Sequence, residues 1–222
     1  TMITNLLWRC PLCKTEDSLS YKKSLFKPDI MTCNTCHTVW EFVKTDKEDF
    51  YWKIVKGEQK GLELRLAEWY RKMKEGFKPL PRKTAEVELL PEEEVYLVSK
   101  SDRIKLITQK TNPLFFGWDK QEFPFEKQGK HSPYMKSFGP GQLFLSSHRF
   151  VWKTRENLYF FLTDRIISIY GEAGFYLGLF YGSTKYKFRF KKDSLVKWLT
   201  YAGYVAEKTR MRNDHKILIS NY

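Results

Sequence analysis

The sequence predicts a mainly β protein with helices, an α+β fold, on the basis of three observations. Much of the second half of the chain consists of short segments in which apolar and polar residues alternate, as in strands with one buried face. The stretch 194–208 instead has apolar residues at helical spacing. All four cysteines lie within the first 36 residues, which indicates a small, separately stabilised N-terminal module.

The cysteines form two C-x2-C pairs, Cys10 with Cys13 and Cys33 with Cys36, separated by nineteen residues. A C-x2-C turn places two thiolates close enough to share one tetrahedral ion, with Zn–S distances of about 2.3 Å. Thiolates select Zn²⁺ over hard cations. We therefore expect a four-cysteine Zn²⁺ site without an open position for catalysis. Two disulfides, typical of a secreted chain, are the alternative.

The cysteine pattern resembles the zinc ribbon, and we assign residues 1–44 to such a module. The resemblance implies strands within 19–31 and 39–43. His37, next to Cys36, could substitute as a ligand but is expected at the surface. Four lysines of the module could contact nucleic-acid phosphates or protect an exposed sheet edge from aggregation: Lys14, Lys22, Lys23 and Lys27.

Residues 45–84 are predicted to form a helical extension and linker. The capping box at 45–48 predicts a helix that runs to about residue 56. A second helix, 58–75, places an apolar stripe on one side that could pack on a neighbouring module, form a dimer seam or lie on a membrane. The stripe consists of Leu62, Leu66, Trp69 and Met73. The prolines within 77–84 indicate an interdomain linker.

Residues 85–222 are predicted to form a second domain built of short strands and one helix. The stretch 141–153 reads as two strands that meet at the polar corner Ser146-Ser147. Further strands are predicted within this domain, at 92–98, 103–107, 158–162, 165–170, 175–181 and 185–190. The helix 194–208 follows, and the tail at 216–220 is again β-like, so it could add an edge strand.

Two motifs of this domain carry a resemblance to GRAM and GLUE domains. One is G-x-L-x-L-(S/T)-x-x-R-h-h-W at 141–152, where h is an apolar residue, and the other is Asp-Arg-Ile-Ile-Ser-Ile at 164–169. The resemblance covers roughly 91–208. It implies a pleckstrin-homology-like (PH-like) antiparallel β-barrel with one end plugged by the C-terminal helix. The helix stripe that would enter the barrel consists of Leu195, Trp198, Leu199, Ala202 and Val205.

A basic cluster near the first hairpin, Lys100, Arg103 and Lys105, resembles the headgroup site of lipid-binding PH domains. The last position of that pattern is an arginine in the family and a lysine here, which lacks the bidentate fork that suits phosphate. Solvated strand ends are the alternative interpretation. The cluster is therefore a candidate lipid-headgroup site.

The stretch 111–140 is rich in proline, glycine and aromatic residues and is too long for a simple turn. It either packs its rings under the loop or presents them to a partner protein. The candidate partner-binding residues are Phe115, Phe116, Trp118, Phe123 and Phe125.

The net charge of +13 favours anionic partners, either phospholipid headgroups or nucleic acid. No catalytic or nucleotide-binding motif occurs, and the four histidines lack acid or nucleophile partners at a known spacing. The longest uncharged apolar segment is too short to span a bilayer, and residues 1–7 lack the layout of a secretory signal. We therefore expect a cytoplasmic, non-enzymatic adaptor, peripheral at a membrane or bound to a protein partner. A nucleic-acid-associated protein is the alternative.

Overall fold

The computed structural model describes residues 6–44, 50–100, 104–110, 135–173 and 175–220. The chain divides into two compact units, Thr1–Lys78 and Pro79–Tyr222. Strands predominate among the described residues, and the helices α1 (Leu66–Lys74) and α2 (Leu195–Asn213) accompany them. The mainly β class with helices is thereby confirmed.

The first unit contains a five-stranded antiparallel sheet whose strands follow one another in chain order. Its strands are β1 (Leu19–Lys22), β2 (Ile30–Cys33), β3 (Val39–Lys44), β4 (Phe50–Lys56) and β5 (Glu63–Arg65). Helix α1 begins directly after β5. Cys33 is thus the last residue of a strand, and the turn that follows it leads straight into β3.

The core of this unit is built from tryptophan rings. Trp40, Trp52 and Trp69 are buried, and the Trp69 ring lies 5.1 Å from that of Trp40 and 6.0 Å from that of Trp52. Trp69 and Met73 are the buried residues of α1. Two of the four stripe residues, Trp69 and Met73, therefore pack inside the first unit, in agreement with the packing interpretation of the stripe.

The helix predicted over 45–56 is wrong for its second half. Residues 45–48, which carry the capping box, lie outside the described residues, but Phe50–Lys56 is strand β4 between β3 and β5. The aromatic and β-branched residues of this segment favour a strand, and the burial of Trp52 and Ile54 follows the period of two. The second predicted helix, 58–75, is also wrong for its first part: Glu63–Arg65 is strand β5, which pairs with β4, so the helix begins only at Leu66.

The second unit contains the remaining strands and α2. The strands are β6 (Val95–Val98), β7 (Ile104–Lys110), β8 (Met135–Ser146), β9 (Arg149–Lys153), β10 (Leu158–Leu162), β11 (Ile166–Glu172), β12 (Tyr176–Tyr181), β13 (Thr184–Arg189) and β14 (Leu218–Ser220). The predicted corner at Ser146-Ser147 lies where β8 ends. β8 begins at Met135, so the last residues of the stretch predicted to be irregular belong to a strand.

The strands of this unit follow the order β10-β9-β8-β7-β13-β12-β11-β14, and β6 also pairs with β8. β7 to β10 and β11 to β13 are therefore two antiparallel meanders, joined by the pairing of β7 with β13. The prediction of a closed barrel is wrong for the part of the chain that the structure describes, because no pairing there joins the two edge strands β10 and β14. The β11 edge is instead taken by β14, which pairs with it in parallel.

Helix α2 packs on the sheet through the predicted stripe. All five stripe residues are buried. The helix begins after Ser194, whose hydroxyl accepts a hydrogen bond from the Lys197 N–H at 3.1 Å, as an N-cap does. Gly171 on β11 allows the close approach, because a Cβ there would lie 3.0 Å from Cδ1 of Leu199.

Candidate functional site

The four cysteines come together in the first unit. Their sulfur atoms all lie within 4.8 Å of one another, with Cys10 Sγ 3.8 Å from Cys36 Sγ and Cys13 Sγ 3.6 Å from Cys33 Sγ. None of them forms a disulfide. Cys10 and Cys33 are buried, and Cys13 and Cys36 are half-buried. The prediction that the two pairs form one cluster is confirmed.

Both C-x2-C turns have the same backbone structure. The N–H groups of Lys14 and His37 donate to the carbonyls of Cys10 and Cys33, at 3.1 and 2.9 Å. Lys14 and His37 both have a positive φ, of 61° and 55°, which closes each turn tightly. The two halves of the site are therefore repeats of one local fold. His37 is exposed and lies outside the sulfur cluster.

Three hydroxyl groups that were not among the predicted site residues lie beside the sulfurs. Thr15 Oγ1 lies 3.4 Å from Cys13 Sγ, and Thr38 Oγ1 lies 3.3 Å from Cys36 Sγ. Ser18 Oγ lies 3.3 Å from Cys33 Sγ. The signal for the two threonines was present in the sequence, because each pair belongs to a C-x2-C-x-T repeat.

The surroundings shift the thiol pKa values in opposite directions. Burial raises the pKa of the Cys10 thiol above its ordinary value of 9.0. Burial also acts to raise the pKa of Cys33, but hydrogen bonds outweigh it and lower that pKa to about 6. These bonds come from the backbone N–H groups of Cys36 and Thr35 and from Ser18. The hydrogen bonds around Cys33 therefore favour its thiolate form even without a bound ion.

The donor set suits a soft metal ion. A tetrahedron of four sulfurs at about 2.3 Å from a central Zn²⁺ has edges of about 3.8 Å. The separations of 3.6 and 3.8 Å in two of the sulfur pairs match that edge. Cys10, Cys13, Cys33 and Cys36 could therefore hold one ion between them.

Basic side chains connect the first turn to the end of α1. The Arg9 guanidinium donates to the carbonyls of Lys14 and Met73, both at 2.7 Å. The Lys14 ammonium donates to the Lys72 carbonyl at 2.6 Å and lies 3.5 Å from the Glu75 carboxylate. Cations at a helix C-terminus offset its partial negative charge. Lys14 therefore has a structural role, which weakens the interpretation that it contacts phosphate.

The candidate headgroup residues lie on the second unit. Lys100 and Lys105 are exposed, whereas Arg103 lies outside the described residues. Lys105 on β7 is the direct cross-strand partner of Arg189 on β13, which is also exposed. Side chains of such partners share one face of a sheet, so the two cations are neighbours. Arg189 was not among the predicted site residues, although the alternating basic residues at 185, 187 and 189 were a visible signal.

The Arg189 side chain is partly held by aromatic rings. Its guanidinium carbon lies 5.4 Å from the ring centre of Phe175 and 5.9 Å from that of Tyr176. Such cation–π contacts orient the side chain while the charge remains exposed. The candidate partner-binding aromatics at 115, 116, 118, 123 and 125 lie outside the described residues.

A buried ion pair holds the segment before β6 against the turn between β8 and β9. The Arg149 guanidinium donates to both carboxylate oxygens of Glu93, at 2.9 and 2.8 Å, and to the Glu88 carbonyl at 2.7 Å. Ser146 Oγ also donates to Glu93. Arg149 therefore orders the corner between β8 and β9 through a partner, Glu93, that is distant in sequence.

Among the described residues, neither α1 nor α2 nor any other helical segment is both long and apolar enough to cross a membrane. The sequence matches no model of a known protein family, and a search of curated proteins finds no significant match.

Proposed function

We propose that the four cysteines bind one Zn²⁺ ion that stabilises a zinc-ribbon-like first unit and takes no part in catalysis. The observation that carries this proposal is the agreement between the sulfur separations of 3.6 and 3.8 Å and the edge of a zinc–thiolate tetrahedron. Four protein ligands complete the coordination, so no position is left for a substrate. Small modules of this kind commonly depend on the ion for folding.

Removal of the ion tests its structural role. The variant Cys36→Ser should lose the metal and the cooperative unfolding of the first unit, whereas Thr35→Ser, at the neighbouring exposed position, should retain both. Metal content and far-UV circular dichroism would be measured on the same samples, with and without a chelator. A Cys36→Ser protein with unchanged metal content would refute the assignment.

We infer that the second unit is PH-like, of the GRAM and GLUE type. Its support is the strand order, in which a four-stranded meander and a three-stranded meander are joined by β7 and β13 and followed by α2. The two sequence motifs that carry the resemblance lie on β8 and β9 and at the start of β11. An experimental structure of the full chain would test this assignment.

We propose that the protein acts as a non-enzymatic adaptor whose second unit binds an anionic membrane surface. The net charge of +13 and the neighbouring exposed cations Lys105 and Arg189 support this role. Polybasic surfaces gain about 1 kcal/mol for each basic residue near an anionic bilayer. The sheet face of β7 and β13 that carries Lys105 and Arg189 is therefore the candidate headgroup surface.

The test compares vesicles of phosphatidylcholine alone with vesicles that also contain phosphatidylserine. The full chain should co-sediment with the anionic vesicles, and Lys105→Glu/Arg189→Glu should bind at least about tenfold more weakly. Arg155→Glu/Arg165→Glu, at two exposed arginines that flank β10, is the charge-matched control and reverses the same number of cations. Equal binding by the double variant and the control would refute this surface. Tight binding to duplex or single-stranded nucleic acid, without vesicle binding, would instead establish the nucleic-acid alternative.

A further inference from the structure

The connection between β1 and β2 presents two adjacent large apolar side chains to solvent. Leu25 is 87% exposed and Phe26 is 97% exposed. No other large apolar side chain in the described ranges is as exposed as Phe26. Single exposed apolar residues are common, but an adjacent pair that is almost fully exposed is typical of a surface that becomes buried on binding. The pair at residues 25 and 26 is here termed the apolar tip.

The loop that carries the apolar tip is held by hydrogen bonds. The Ser24 N–H donates to Asp29 Oδ1 at 2.9 Å, and the Lys27 N–H donates to Ser24 Oγ at 3.1 Å. The Tyr21 hydroxyl donates to the other carboxylate oxygen of Asp29. These bonds tie the loop to the ends of β1 and β2. An ordered loop loses less conformational entropy on binding than a free one.

The charged side chains that lie next to the apolar tip in sequence are basic. Lys22, Lys23 and Lys27 are all exposed, and the segment 22–28 contains no acidic residue. The nearest carboxylate in the sequence, that of Asp29, accepts the two hydrogen bonds from Tyr21 and Ser24. An apolar point framed by ammonium groups matches an anionic lipid surface, where acyl chains lie beneath a layer of phosphate.

We propose that the apolar tip inserts into anionic membranes, with Leu25 and Phe26 at the boundary of the acyl chains and the lysines at the phosphates. This inference rests on the proposed membrane function and adds a second contact, on the other unit. Nucleic acid would use the lysines but would leave Leu25 without a role. The requirement for apolar side chains therefore separates insertion from phosphate binding.

Vesicle co-sedimentation of the zinc-loaded full chain tests the role of the apolar tip. The double variant Leu25→Ser/Phe26→Ser should bind vesicles of phosphatidylcholine and phosphatidylserine about tenfold or more weakly than the unmodified chain. Leu80→Ser/Met211→Ser is the matched control, because Leu80 is 79% exposed and Met211 is 73% exposed, both in the other unit. The control should bind within about twofold of the unmodified chain. Equal binding by the double variant and the unmodified chain, or equal losses in both variants, would overturn the proposal.

Insertion depth is tested with a tryptophan at the tip. Phe26→Trp should add fluorescence that vesicles with brominated acyl chains quench, beyond the quenching of the seven native tryptophans. Leu80→Trp should add fluorescence that those vesicles do not quench. Vesicle binding without additional quenching of Phe26→Trp would show that the tip stays outside the acyl region and would overturn the proposal.

The charge variant of the proposed headgroup surface distinguishes the two proposals. A loss of binding in Leu25→Ser/Phe26→Ser with full binding in Lys105→Glu/Arg189→Glu supports the tip and refutes the surface on β7 and β13. The reverse result refutes the tip and supports that surface. No binding by the unmodified chain to any vesicle would refute both.

Discussion

Replacement of Arg149 by methionine should destabilise the second unit by about 3–5 kcal/mol at pH 7. The Glu93 side chain has no exposed surface and the Arg149 side chain is 9% exposed, so the pair is buried. Loss of the guanidinium would leave a buried carboxylate with only the Ser146 hydroxyl and the Leu90 N–H as donors. Removal of one partner from a buried ion pair has effects of this size.

The loss of stability on Arg149→Met should depend on pH, because the substitution changes the pKa of Glu93. Burial alone would raise the pKa of Glu93, but hydrogen bonds from Arg149, Leu90 and Ser146 outweigh burial and hold that pKa below its ordinary value of 4.5. In the unmodified chain the pair therefore stabilises the fold above pH 4.5, and this stability is lost as the pH falls through the lowered pKa. In Arg149→Met, burial dominates and raises the Glu93 pKa, so the difference in stability should shrink between pH 7 and pH 5.

The assay is urea unfolding of the full chain at both pH values, with hydrogen exchange of β8 and β9 amides to assign the transition. Arg155→Met, an exposed arginine in the same unit, is the control and should change the free energy of unfolding by less than about 0.5 kcal/mol. A loss in Arg149→Met that equals the control, or that does not change with pH, would refute the assignment of a buried, ionised pair.

Three further predictions follow from other contacts. Thr15→Val and Thr38→Val should each weaken metal binding by about 10–100-fold, because each removes a hydroxyl beside a ligand sulfur. Competition with a coloured zinc chelator would measure the affinity, and an unchanged affinity would refute the role of the hydroxyls. Gly178→Ala should destabilise the second unit by about 1–3 kcal/mol, because the Tyr170 ring lies where the new Cβ would be. Thermal unfolding would measure the loss, and adding Tyr170→Leu to the same chain should restore most of it. No change in stability on Gly178→Ala would contradict this packing. Arg9→Met should destabilise the first unit by about 1–3 kcal/mol in urea unfolding, because the carbonyls of Lys14 and Met73 lose a charged donor. A variant as stable as the unmodified chain would refute this contribution.

Features that depend on local sequence were predictable. The sulfur cluster follows from two C-x2-C turns, and the α2 stripe follows from apolar residues at helical spacing, as the burial of Trp198 and Ala202 confirms. The strands from 158 to 190 were predicted within about two residues because each has a local alternation.

Features that depend on distant partners were not predictable. Trp52 belongs to a strand because β3 and β5 flank β4, whereas the local capping box favoured a helix. The partner of Arg149 is 56 residues away in sequence, and Lys105 meets Arg189 only when β7 pairs with β13. Whether a sheet closes into a barrel likewise depends on which edge strands pair, and here β14 pairs with β11. The exposure of Phe26 also required the fold, because the resemblance to a zinc ribbon implied only that strands lie within 19–31.

The central claim is that the first unit is stabilised by one zinc ion held by four thiolates. The most direct test is the zinc content of the purified full chain, measured by mass spectrometry of the metal together with a count of free thiols after denaturation. We predict one zinc per chain and four reduced thiols, with a tetrahedral tetrathiolate spectrum after cobalt substitution. A metal-free, folded chain with two disulfides would contradict the account.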